Sequence, residues 1–139
     1  DELYEYFAAM SLESKQPFAS DAALVITWDE LAYRINIHEN YLDKYPNSIR
    51  KDEIQRYLLY YMQAYLLGLD NTSVFDYKSN KFREDLLESY QNSLEAYPDT
   101  ELAEILSEYI KILEKNNYKQ TDAVEAYQTE LREKIQAGF

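Results

Sequence analysis

Apolar residues along this chain recur every three or four positions, the period of a helix with one buried face, and hardly anywhere in strict alternation. The pattern predicts six helices. The first, about Glu2 to Ser14, carries Leu3, Tyr6, Phe7 and Met10 on one face and stops before Lys15-Gln16-Pro17. Ser20 or Asp21 then caps a long second helix, Ala22 to Lys44, with Phe18 placed for a staple contact to Leu24. Its stripe runs through Leu24, Trp28, Leu31, Ile35, His38 and Leu42, and Pro46 marks its exit. Ser48 caps the third helix, about Ile49 to Gly68, which is apolar around most of its circumference and is expected to be the most buried. Leu69 to Asn80 forms the one long connection, pinned by Val74, Phe75 and Tyr77. The fourth helix, about Lys81 to Ala96, uses Phe82, Leu86, Leu87, Tyr90 and Leu94 and ends before Pro98. Thr100 or Asp99 caps the fifth, Glu101 to Lys115. Thr121 or Asp122 opens the sixth, where Asp122 and Glu125 read as a capping box, and it runs to Gly138.

The chain also repeats itself. An offset of 52 positions superposes Leu42-Asp43-Lys44-Tyr45-Pro46-Asn47-Ser48 on Leu94-Glu95-Ala96-Tyr97-Pro98-Asp99-Thr100, type for type. The same offset pairs Ile35 with Leu87, His38 with Tyr90, Ile54 with Leu106 and Tyr57 with Tyr109, all stripe positions. Helices two-three and four-five are therefore related. Each corner couples a stop to a start, because proline disfavours helix before it and the Ser/Thr oxygen can take up free amides of the next helix.

With these Tyr-Pro-Asn/Asp-Ser/Thr junctions the chain resembles a tetratricopeptide-type helical repeat of the kind found in bacterial periplasmic and surface lipoproteins, although the offset of 52 exceeds the roughly 34 residues of the standard repeat. The resemblance implies an all-α fold over residues 1–139 as a single domain. In it the six helices pair as three antiparallel hairpins in a right-handed stack; an irregular helical bundle is the alternative. It also implies a protein- or peptide-interaction module in the extracytoplasmic part of a bacterial surface or periplasmic protein.

Composition narrows the function classes. A length of 139 residues suits one domain able to bury its own core, and 2 Gly and 3 Pro leave little for hairpins or coil. With 14 Lys and Arg against 26 Asp and Glu, a net charge of −12 repels phosphate backbones, so no nucleic-acid partner is expected. No apolar run is long enough for a membrane helix. The chain opens Asp1-Glu2-Leu3-Tyr4 without Met, which reads as a processed or excised form whose signal segment lies elsewhere. The absence of Cys removes thiolate metal sites and cysteine nucleophiles and fits an exported protein.

The only histidine, His38, lies on an apolar stripe and reads as a packed residue rather than a base or ligand, and a di-iron site built on two Glu-x-x-His units has too few histidines. Two glycines cannot furnish a phosphate-cradling loop. Carboxylate pairs occur in any fold this acidic, but six paired helices leave little to wall a dry cleft. The oxygen-rich segment Asp70 to Asp76 lacks the spacing of a calcium loop and reads as a solvated turn. No enzymatic activity, cofactor or metal is expected.

The 15 tyrosines are the remaining excess, and a ring with a polar tip suits both half-buried junctions and binding surfaces. Tyr57, Tyr61, Tyr65, Tyr90, Tyr109 and Tyr127 follow the stripes and are expected in the core, with Trp28. Tyr33, Tyr60, Phe75, Tyr77 and Tyr118 lie off the stripes or beside turns and are the candidate partner-binding residues. Two alternatives to a peptide-binding face stay open: an aromatic-lined groove for a small, sugar-like ligand, and a purely structural spacer.

Overall fold

The computed structural model covers residues 1–139 and is all-α but for one small hairpin. Its elements are α1 (Glu2–Lys15), β1 (Ala19–Ser20), β2 (Ala23–Leu24), α2 (Trp28–Lys44), α3 (Lys51–Leu67), α4 (Glu84–Ala96), α5 (Glu101–Lys115) and α6 (Asp122–Gln136). α2 packs most extensively on α3 and also against α1 and α4; α4 meets α5, and α6 meets both α3 and α5. The third helix is the central one, with Ile54, Tyr61, Met62, Ala64, Tyr65 and Leu66 all buried.

The helix boundaries follow local chemistry. Asp1 caps α1 by accepting from the Tyr4 amide at 2.9 Å, and Thr100 caps α5 by accepting from Ala103 at 3.1 Å. Gly68 ends α3 at φ +84°, where a Cβ would stand 2.6 Å from the Thr72 carbonyl. The two proline corners close alike. Tyr45 (φ −128°, ψ 64°) and Tyr97 (φ −132°, ψ 59°) share one backbone conformation, and their amides donate to Tyr41 and Ser93 carbonyls at 2.9 and 2.8 Å.

Several boundaries depart from the sequence reading. The second helix starts at Trp28, not Ala22, and its cap is Thr27, whose hydroxyl accepts from Glu30 at 3.0 Å. Residues 19–24 instead form the antiparallel hairpin, with Asp21 and Ala22 at φ 51° and 59°. Tertiary hydrogen bonds hold that turn: the Asn71 amide donates to Ala22 at 2.8 Å, and the Leu24 amide donates to the Thr72 hydroxyl at 2.9 Å. Ser48 does not cap α3, which begins at Lys51; its hydroxyl accepts from the Arg50 amide at 3.0 Å. The fourth helix begins at Glu84, and Phe82 is buried just ahead of it. Thr121 caps α6 by accepting from Val124 at 3.3 Å, which leaves Glu125 one position beyond the place a capping box requires. On α1, Leu3 and Phe7 are exposed, and only Ala9 is fully buried.

The core explains most of the tyrosine excess. A run of ring contacts crosses it, from Trp28 to Tyr65 (6.4 Å between centroids), Tyr65 to Tyr90 (5.0 Å), Tyr90 to Tyr109 (5.9 Å) and Tyr109 to Tyr127 (5.3 Å). Each buried phenol finds a partner. Tyr90 donates to the Tyr65 carbonyl at 2.8 Å, Tyr109 accepts from Gln128 at 2.9 Å, and the Tyr65 hydroxyl bonds Ser89 and Ser93 at 2.8 and 2.9 Å. Tyr57 and Tyr127 are half-buried rather than fully enclosed.

Candidate functional site

The largest concavity is an open groove of about 1100 Å³ between the N-terminal end of α2, the 69–78 connection and the first half of α4. Three local events build it. Thr27 starts α2 so that Trp28 and Asp29 stand at its mouth, Gly68 turns the chain out of α3 so that the connection forms one wall, and α4 sets Asp85, Glu88 and Asn92 along the other. Trp28 Nε1 donates to Asp85 Oδ2 at 3.3 Å, and Arg83 Nε donates to Asp85 Oδ1 at the same distance. Across the groove Asn92 Nδ2 donates to Asp29 Oδ2 at 3.3 Å. Carboxylates outnumber cations, with Lys78 and Arg83 facing Asp29, Asp70, Asp76, Asp85 and Glu88. Asp76 is a turn residue: its Oδ1 accepts from the amides of Ser79 at 2.9 Å and Lys78 at 2.8 Å, which hold its carboxyl below the usual range.

The five residues singled out from the sequence do not form one site. Phe75 and Tyr77 both line the groove, but Phe75 is buried and packs edge-on against Phe82 at 5.3 Å, so it is core rather than surface. Tyr77 is 98% exposed at the rim. Tyr33 and Tyr60 are exposed elsewhere, on α2 and α3, and Tyr118 is half-buried beside Phe82 and Arg83 at the start of α4. Trp28 is buried as expected, yet its indole nitrogen reaches the groove wall. Asp85 and Asn92 were not singled out; their roles depend on which helix faces α2.

His38 is fully buried. Its Nδ1 lies 2.8 Å from the Arg34 carbonyl and so carries the proton, its Nε2 has no partner, and burial pushes its pKa down to about 4. The imidazole has no access to a substrate.

Glu39, the next residue, is a buried ionisable group that the sequence reading missed. It stands four positions after Ile35 and three before Leu42, an acid within the apolar stripe, and that spacing was the available signal. It is 8% exposed; Oε1 accepts from the Leu102 amide at 3.3 Å while Oε2 has no partner. Burial and the nearby Glu101 carboxylate push its pKa up to about 7.

Comparison with protein-family models, with curated protein sequences and with solved structures returned no significant match. The tetratricopeptide resemblance thus rests on the Tyr-Pro corners themselves.

Proposed function

We propose that this domain is a non-catalytic module that binds a protein or peptide segment, and that it forms the extracytoplasmic part of a bacterial surface or periplasmic lipoprotein. The observation that carries the binding role is the open groove beside α2. It is open, has a fully exposed aromatic side chain, Tyr77, at its rim, and carries more carboxylates than cations along its polar walls. Such a surface suits an extended polypeptide carrying basic residues, steered in by the net charge of −12. A non-catalytic role is favoured by the enclosure of the single imidazole, and an exported location by the absence of Cys.

The architecture that goes with this reading is a right-handed stack of antiparallel helix pairs resembling tetratricopeptide repeats. In its favour are the shared backbone of the Tyr45 and Tyr97 corners and the packing of α2 against both α3 and α4.

Fluorescence polarisation with arrays of basic, neutral and acidic decapeptides tests the binding role. Basic peptides should bind and Asp85→Asn and Tyr77→Ala should weaken them, the latter without loss of stability. Binding of sugars on a glycan array with no response to any peptide overturns the reading.

A further inference from the structure

α6 packs more extensively on α3 than on α5, and an open groove of about 760 Å³ is left between the last two helices. We propose that this groove docks a partner protein through an amphipathic helix that carries basic residues. It shares no residue with the concavity beside α2, and the inference does not rest on that site.

The first argument is shape. On α5 the lining positions Glu101, Glu104, Ile105, Glu108 and Ile112 follow the three-and-four spacing of a single helix face. On α6, Ala123, Ala126, Tyr127, Glu130 and Lys134 do the same. Each wall is therefore about three turns, roughly 16 Å, long. Ile105 is buried, Ile112 and Tyr127 are half-buried, and Ala123 and Ala126 are exposed, so an apolar strip between the two helices meets water. Its central ring is fixed in place. The Tyr127 hydroxyl donates to the Ile105 carbonyl at 3.4 Å, and the ring packs on Tyr109 at 5.3 Å.

The second argument selects a helix as the occupant. Between their caps the backbone groups of both walls are bonded within α5 and α6, so the groove offers side chains and no free strand edge. An extended segment would bury amides that find no partner there. A helix satisfies its own and can lay an apolar face along the strip.

The third argument is charge. Glu101, Glu104 and Glu108 line one wall and Glu130 the other, against a single cation, Lys134, which lies 3.8 Å from Glu130. Glu101, Glu104 and Glu108 take part in no ion pair. Carboxylates on both sides of an apolar strip complement lysine or arginine on the flanks of an apolar helix face. A second copy of this chain fits poorly. Its exposed apolar helix face, Leu3 and Phe7 of α1, comes with Asp1, Glu2 and Glu5 and would bring like charge into the groove.

Fluorescence polarisation tests this with a labelled peptide of about 14 residues that carries leucine on one helical face and lysine elsewhere. A scrambled peptide of the same composition has the charge without the face, and a glutamate-for-lysine peptide has the face without the charge. The basic amphipathic peptide should bind saturably, roughly tenfold or more tighter than either control, and gain helical circular dichroism as it does. Ala126→Lys puts a long cation on an exposed position of the wall and should weaken binding by roughly tenfold or more at an unchanged thermal midpoint. Glu104→Gln combined with Glu108→Gln, also at exposed positions, is the second variant and should weaken binding as well. Asp85→Asn reports on the groove beside α2: loss of binding there with none in Ala126→Lys overturns the proposal. So does equal binding of the scrambled peptide, or no binding of the basic one. A dimer in sedimentation equilibrium that Ala126→Lys dissolves assigns the groove to a second copy and also overturns it.

Discussion

The guanidinium of Arg34 donates to the carboxylate of Glu13 at 3.0 Å, joining α1 to α2 inside the protein, where Arg34 is only 2% exposed. Glu13 is a hub. The same carboxylate accepts from the Tyr61 hydroxyl at 2.9 Å and from the Phe18 amide at 3.2 Å, while Glu30 takes Arg34 Nε at 3.2 Å. Removing one partner of such a pair strands a buried charge, which typically costs about 3–5 kcal/mol. Because Glu30 still holds Arg34, Glu13→Ala should destabilise by about 2–3 kcal/mol. Urea denaturation checks it, and Glu13→Gln should recover part of the loss.

Tyr65→Phe removes the hydroxyl shared by Ser89 and Ser93 without opening much space. Both serines are buried, so the expected loss is about 1–3 kcal/mol, read as a lower thermal midpoint. Tyr77→Phe, at a fully exposed position, should leave the midpoint unchanged.

Gly68→Ala asks for a Cβ where the Thr72 backbone carbonyl stands, at a φ that L-residues rarely adopt. The chain exit from α3 must shift, and with it the wall of the groove. We expect a loss of about 2 kcal/mol or more by chemical denaturation, and weaker peptide binding in the polarisation assay.

His38 and Glu39 give opposite pH dependences. The imidazole has a folded pKa of about 4 against an ordinary 6.5, so the unfolded chain takes up the proton first and stability falls as pH drops from 6.5 to 4. The carboxyl has a folded pKa of about 7 against 4.5, so the folded chain holds its proton longer and stability falls as pH rises from 4.5 to 7. Each contribution is about 3 kcal/mol at full extent, and the two limbs offset each other in between. Glu39→Gln should therefore be the more stable protein at pH 8, by about 2–3 kcal/mol, and match the parent at pH 4. Urea denaturation at a series of pH values checks both limbs.

Much of the helical frame was legible in the sequence, where chemistry is local. α5 begins and ends where Thr100 and Asn116 place it, and Gly68 stops α3 as expected. The segment before Trp28 was not legible, because its hairpin depends on Asn71 and Thr72, some fifty positions away, to hold Ala22 in a conformation that alanine alone disfavours. The same limit applies to the groove. Tyr77 was legible as an off-stripe aromatic, whereas the pairing of Trp28 with Asp85 depends on α2 lying beside α4, which no local pattern encodes.

The way α1 is fastened has a further consequence. Only Ala9 of that helix is fully enclosed, in a small apolar cluster with Tyr41 and Ile54, and the other ties are ionic or polar: Lys44 to Glu5 at 2.7 Å, Tyr6 to Glu53 at 3.0 Å, Tyr41 to Glu2 at 2.9 Å and Arg34 to Glu13. Electrolyte weakens the exposed members of that set and leaves the aromatic interior almost untouched. The amino-terminal rod is thus a detachable clasp: in strong brine its amide protons would exchange with deuterium well ahead of those in α3.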